Sequence, residues 1–77
     1  MSAALDKARR LLAEALETAP ERIADGASIH TIEAWDSLAH LRLIQAIERR
    51  LGRELPPEAM IAVESLADVA RLLEAAP

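Results

Sequence analysis

Three runs of apolar residues recur every three to four positions, and each is closed by proline, glycine or a capping residue, which leaves this chain few folds. In the first run, Leu5, Ala8, Leu12, Ala15 and Ala19 share a face, so the spacing predicts a helix over about 3–18. Ser2 is placed to cap it, Asp6 suits the positive end of its dipole, and Pro20 closes it. The second run starts at Asp36-Ser37 and reaches Leu51, where Gly52 supplies a C-terminal stop. Wound at about 100° per residue, it gathers Leu41, Leu43, Ile44, Ile47 and Leu51 into one broad arc, read as the core side. Arg42, Gln45 and Arg49 fall opposite, and Leu38 falls with them. Leu55-Pro56-Pro57 breaks the chain, residues 58–62 fit one short turn of helix, and Ser65-Leu66-Ala67-Asp68 resembles a capping box with Asp in the Glu position. Leu66, Val69, Ala70 and Leu73 then give the last helix its face.

The β-branched residues never alternate over a strand's length, so the expected fold is all-α. It is a small antiparallel bundle of three main helices plus a short third one, forming a single domain over residues 1–77. Residues 20–36 make a long connection between the first two helices, and Ile23, Ile29 and Ile32 read as plugs that pin it to the core. A core of this size supports a net stability of about 5–10 kcal/mol and leaves little room for a walled active site.

Several function classes fall away. Ser37 and His40 tempt a nucleophile–base reading, but no oriented third group or oxyanion site accompanies them. Thirteen acids against nine bases give a net charge of −4, which argues against nucleic acid or anionic membrane as a partner. No apolar stretch approaches the roughly 20 residues that cross a membrane. The MSAALDKARR start is not read as a secretory signal, so the cytoplasm is the expected location and a free-standing monomer the expected state. His30, His40 and the scattered acids show no metal-ligand spacing. There is no cysteine, so any thioester chemistry would need a sulfur brought from outside.

Attention therefore settles on the start of the second helix. Asp36 is placed to accept from the backbone N–H of Leu38 or Ala39, and Trp35, the sole Trp, Tyr or Phe, precedes the cap where it can fold over His40 as a staple. Ser37 occupies the first turn, where unpaired N–H groups and the dipole favour an anion. Two readings stand side by side: an ordinary first-turn serine, and a hydroxyl that carries a phosphate in a helix-terminal anion site. Leu38 puts an apolar side chain beside that hydroxyl, at the mouth of the helix.

Trp35-Asp36-Ser37-Leu38, followed by LRLIQAIERRLGRELPPE, resembles the acyl carrier protein family. That family carries Asp-Ser-Leu at the start of its second helix, and Gly52, Leu55-Pro56 and the Ser65-Leu66 start fall in register with it; the resemblance covers roughly residues 23–73. It implies that Ser37 receives 4′-phosphopantetheine from coenzyme A through a phosphopantetheinyl transferase, with Asp36 and Leu38 helping that enzyme recognise it. It also implies an acyl-loading synthetase or transferase and downstream acyl-using enzymes as partners. The arm supplies the thiol that the chain lacks. Acyl cargo can be sheltered between helices, and Ile44, Ile47, Leu51, Leu55, Met60, Val63 and Val69 are the expected slot, one that an acyl chain itself opens; each is equally an ordinary core residue.

The chain departs from the family pattern on its second helix. The acidic docking stripe of the second helix is missing, for Ala39 stands where an acid is common and Arg42, Arg49 and Arg50 outnumber Glu48. One reading is a specialised carrier that docks through Leu38, Arg42, Gln45 and Arg49 on less basic or acidic partners; the other is that these arginines are solvated or pair with Glu48 and Glu54. His40 guards the slot or contacts the arm's phosphate in one reading and simply stacks on Trp35 in the favoured one. An aminoacyl or peptidyl carrier, more often marked Gly-Gly-x-Ser-Leu, and an unmodified helical adaptor remain the alternatives.

Overall fold

The computed structural model describes residues 3–75, which form four α-helices and one 3-10 turn, with no strand among them. Helix α1 spans Ala3–Leu16, α2 Ser37–Leu51, α3 Pro57–Ala62 and α4 Leu66–Ala75. The expected cap at Ser2 lies outside the described residues. Helix α1 packs against both α2 and α4, and Leu12, Leu43, Ile47, Leu66 and Val69 are the largest side chains buried completely at that junction. The molecule measures 29 × 29 × 18 Å. Its short dimension is under two helix diameters, so the bundle has no depth for an enclosed cleft.

Helix α1 ends earlier than its apolar pattern suggests. Glu17 turns into the left-handed region at φ 55°, Thr18 N–H donates to the Ala13 carbonyl at 2.9 Å, and Glu17 N–H donates to the Glu14 carbonyl at 3.2 Å. This pair of bonds satisfies carbonyls that the helix end would otherwise orphan. Pro20 therefore does not close α1 but opens the 3-10 turn Pro20–Arg22. Ala19, expected on the apolar stripe, lies outside the helix and is exposed.

The long connection is ordered, as its isoleucines predict. Ile23 is buried, and Ile29 and Ile32 pack half-buried against the core. Two further ties hold it. Arg9 donates from Nε to the Ile23 carbonyl at 3.1 Å and pairs with Asp25. At the far end, Ile29 N–H donates to the Glu64 carbonyl at 2.9 Å and Leu66 N–H to the Ala27 carbonyl at 3.0 Å, a short antiparallel bridge onto the start of α4. Backbone groups that a free loop would leave to water are thus paired.

Helix α2 buries Ala39, Leu43, Ile44, Ala46 and Ile47, while Leu51 is half-buried. Leu41 is a correction: read as a core residue, it is 53% exposed. The buried residues centre between Ala39 and Ile47, and at 100° per residue Leu41 points about 150° away from that centre. Its place is on the outer surface, one turn beyond Ser37.

Candidate functional site

Asp36 builds the opening of α2. Its carboxylate accepts from Ala39 N–H at 2.9 Å, and its carbonyl accepts from His40 N–H at 2.9 Å. Of the amides in this first turn, those of Ser37 and Leu38 have no acceptor among the described residues. Ser37 is the first residue of the helix and exposed, and its hydroxyl makes no hydrogen bond with any described residue. An exposed oxygen with two free amides at a positive helix end fits a phosphodiester without displacing any protein contact. Leu38, 56% exposed, stands beside it.

Trp35 sits under this opening, buried to 5%. The indole stacks on the His40 ring, centroids 6.1 Å apart at an interplanar angle of 25°, as the staple predicts. The pair is also hydrogen-bonded, since Trp35 Nε1–H donates to His40 Nδ1 at 3.0 Å, while His40 Nε2 lies 2.9 Å from the Met60 carbonyl oxygen. An indole N–H only donates and a carbonyl only accepts, so the imidazole proton sits on Nε2 and is given to Met60. One histidine thereby joins the loop, α2 and α3.

Beside Ser37 runs an open groove of about 680 Å³. Trp35, His40, Met60 and Val63 form its floor, Ile29 and Ile61 its apolar sides, and His30, Asp36 and Glu64 its polar rim. Ile61 is 79% exposed. Of the seven expected slot residues, Met60 and Val63 reach this groove, whereas Ile44, Ile47, Leu55 and Val69 lie buried in the packed core and Leu51 half-buried at its edge. The groove's loop walls, Ile29 and His30, escaped the sequence reading. Only their distance in space from Ser37 marks them, and the bridge between Ser28 and Ser65 that sets this distance has no local signature.

On the outer face of α2, Arg42, Gln45 and Arg49 are exposed and line a shallow depression against α1. Arg42 pairs with Glu17 of α1 at 3.1 Å, not with Glu48 or Glu54. Glu48 is engaged elsewhere, for its carboxylate accepts from Leu55 N–H at 2.9 Å. No cluster of ligating side chains that could hold a metal ion occurs among the described residues, and no described helix is long and apolar enough to cross a membrane.

Against known proteins, the family described as "Phosphopantetheine attachment site" matches residues 6–73. A protein named acyl carrier protein from Rhodopseudomonas palustris (strain BisB18) is 31% identical over 74 residues, covering 96% of this chain and 94% of the relative. Proteins of the same name from Bradyrhizobium sp. (strain ORS 278) and Phenylobacterium zucineum (strain HLK1) are 30% and 27% identical over the same shares of each chain.

Proposed function

The chain belongs to the acyl carrier protein family, whose members bear a covalent 4′-phosphopantetheine arm, and on that premise we propose that Ser37 is the residue that bears it here. The arm supplies the thiol on which acyl groups travel as thioesters. The chain itself is a non-catalytic carrier. Its own contribution is to offer a hydroxyl, hold it still and present it.

In attachment, Ser37 Oγ attacks the phosphorus of the coenzyme A pyrophosphate that bears the pantetheine. A new O–P bond forms, the pyrophosphate bond breaks, 3′,5′-adenosine bisphosphate leaves, and the hydroxyl proton passes to a base of the transferase. The observation that carries the assignment is the state of Ser37: exposed, without a protein partner and next to two free amides. Asp36 fixes the first turn, and exposed Leu38 gives the transferase an apolar handhold. Intact mass before and after incubation with coenzyme A and a phosphopantetheinyl transferase tests this. Wild type should gain one arm and Ser37→Ala none; an unmodified wild type would leave an adaptor, and a modified Ser37→Ala would move the site elsewhere.

The docking face follows from charge. Exposed Leu38 and Leu41 run into Arg42, Gln45 and Arg49, an apolar edge beside positive charge in a molecule of net charge −4. The acyl-loading enzyme would meet it with an apolar patch edged by acids, which favours a specialised pathway with dedicated partners. Reversing Arg42 and Arg49 to Glu should lower the rate of acyl loading severalfold while arm attachment stays largely intact. Unchanged loading kinetics would remove the docking claim and leave Ser37 untouched.

A further inference from the structure

We propose that the Trp35–His40–Met60 bridge is a latch that keeps acyl cargo in the surface groove and out of the helical core, an inference that rests on Ser37 as the attachment point. A chain tethered at Ser37 has two places to go. One is the open groove between Ile29 and Ile61; the other is the interior, reached by parting α3 from α2 and displacing Ile44, Ile47 and Val69.

The route inward crosses α3, a helix held by the latch and by the buried Leu55 and Val63 that flank it. None of its residues is fully buried; Ala59 and Met60 are half-buried, and Ile61 faces water. Among the described residues, His40 Nε2–H to Met60 O is the one hydrogen bond that α3 makes to another helix. The bond also completes α3, because the Met60 carbonyl lies in the final turn, where intrahelical donors run out. His40 cannot turn away freely. Its other nitrogen is held by the Trp35 indole, and Trp35 is buried and stacked on the ring. Opening the core would therefore break the His40–Met60 hydrogen bond and strip the Met60 carbonyl of its protein donor, because the imidazole, held by the indole, does not follow α3.

The groove asks for no such change. Its apolar walls and its rim of His30 and Glu64 already stand open beside the hydroxyl. Cargo that suits it is an acyl group with polar character away from the thioester, lying on the surface where a partner enzyme can reach it. A long saturated chain finds too little cover there.

The test uses octanoyl-coenzyme A and a phosphopantetheinyl transferase to install an octanoyl-bearing arm, with methyl NMR as the readout. In wild type the methyls of Ile29 and Ile61 should shift relative to the unacylated arm, while those of Ile44, Ile47 and Val69 hold still. His40→Asn keeps an acceptor near the indole but falls short of Met60, and should let the octanoyl chain shift the core methyls. His40→Gln restores reach to the Met60 carbonyl and should behave as wild type. In the unacylated protein, the ¹⁵N resonances of His40 should report a proton on Nε2 alone. Core methyls that move in armed wild type, or that stay still in His40→Asn, overturn the latch and leave the carrier reading standing. An unchanged intact mass overturns the carrier reading and removes the latch's cargo role with it.

Discussion

The two ends of α2 treat the same chemical problem in opposite ways. At the C-terminal end one residue ties the helix to the chain that follows: the Glu48 carbonyl accepts from both Gly52 and Arg53, and the Glu48 carboxylate accepts from Leu55 N–H, with Leu55 buried behind it. At the N-terminal end, Asp36 claims Ala39 N–H and stops there, leaving the Ser37 hydroxyl and the amides of Ser37 and Leu38 to solvent. Unsatisfied polar groups are cheap only where water can reach them. The open end is thus stable without being finished, and an added phosphate displaces only water. A helix can be closed where it serves the fold and left open where it serves a partner.

The sharpest way to break this contrast is to truncate a leucine at each end. Leu55→Ala empties a buried position whose amide anchors the turn after α2, and should lose about 2–4 kcal/mol of stability. Leu38→Ala removes a side chain that is 56% exposed and should change stability by no more than about 0.5 kcal/mol. Urea unfolding reads the first difference. Arm-attachment rates should show the reverse order, with Leu38→Ala slowed and folded Leu55→Ala near wild type; equal stability losses at the two positions would dissolve the contrast.

Asp36→Ala tests whether the open end still needs its cap. The carboxylate satisfies one first-turn amide, and a lost cap of this kind costs about 1 kcal/mol. Ser37 would then start a frayed turn, so attachment should slow more than the stability loss alone explains. Asp36→Asn keeps an accepting oxygen and should recover most of the stability in thermal unfolding. A variant as stable as wild type would mean that the cap contributes nothing.

What could be read from the chain alone follows the range of the interactions involved. Gly52 as a stop and Asp36 and Ser65 as caps act within one turn, and the structure has all three. Even there, the second half of the capping box shifts, since Asp68 accepts from Glu64 N–H and not from Ser65. The exposed position of Ser37 beside an exposed Leu38 was legible for the same local reason. Leu41 was not, because five apolar residues on one helix define an arc but not its centre, which α1 and α4 decide. Glu17 as the partner of Arg42, Glu48 as a cap for Leu55, and Ile29 as a wall of the groove all depend on chain segments meeting in space. The stacking of Trp35 on His40 was expected, whereas its hydrogen bond needed the imidazole's orientation, which Met60 fixes.

The smallest effects come from comparing the closed end of α2 with that of α1. Both helices finish on a residue in the left-handed region, Gly52 at φ 72° and Glu17 at φ 55°, yet only the glycine lacks a Cβ to object. Space is not the issue at Gly52, where an added Cβ would meet nothing within 4 Å. Gly52→Ala should therefore lose about 1 kcal/mol through backbone strain alone. Glu17→Gly works the other way, relieving about 1 kcal/mol of strain. Against this it gives up an exposed pair with Arg42, worth about 0.2–1 kcal/mol, and adds freedom to the unfolded chain. The terms nearly cancel, so the thermal midpoint should move by no more than a few degrees for a domain of this size. Because salt screens the pair and not the strain, the variant should gain on wild type as ionic strength rises. A Glu17→Gly protein that melts below wild type even in high salt, where the pair is screened, would show that the strain at Glu17 is smaller than the freedom glycine adds to the unfolded chain.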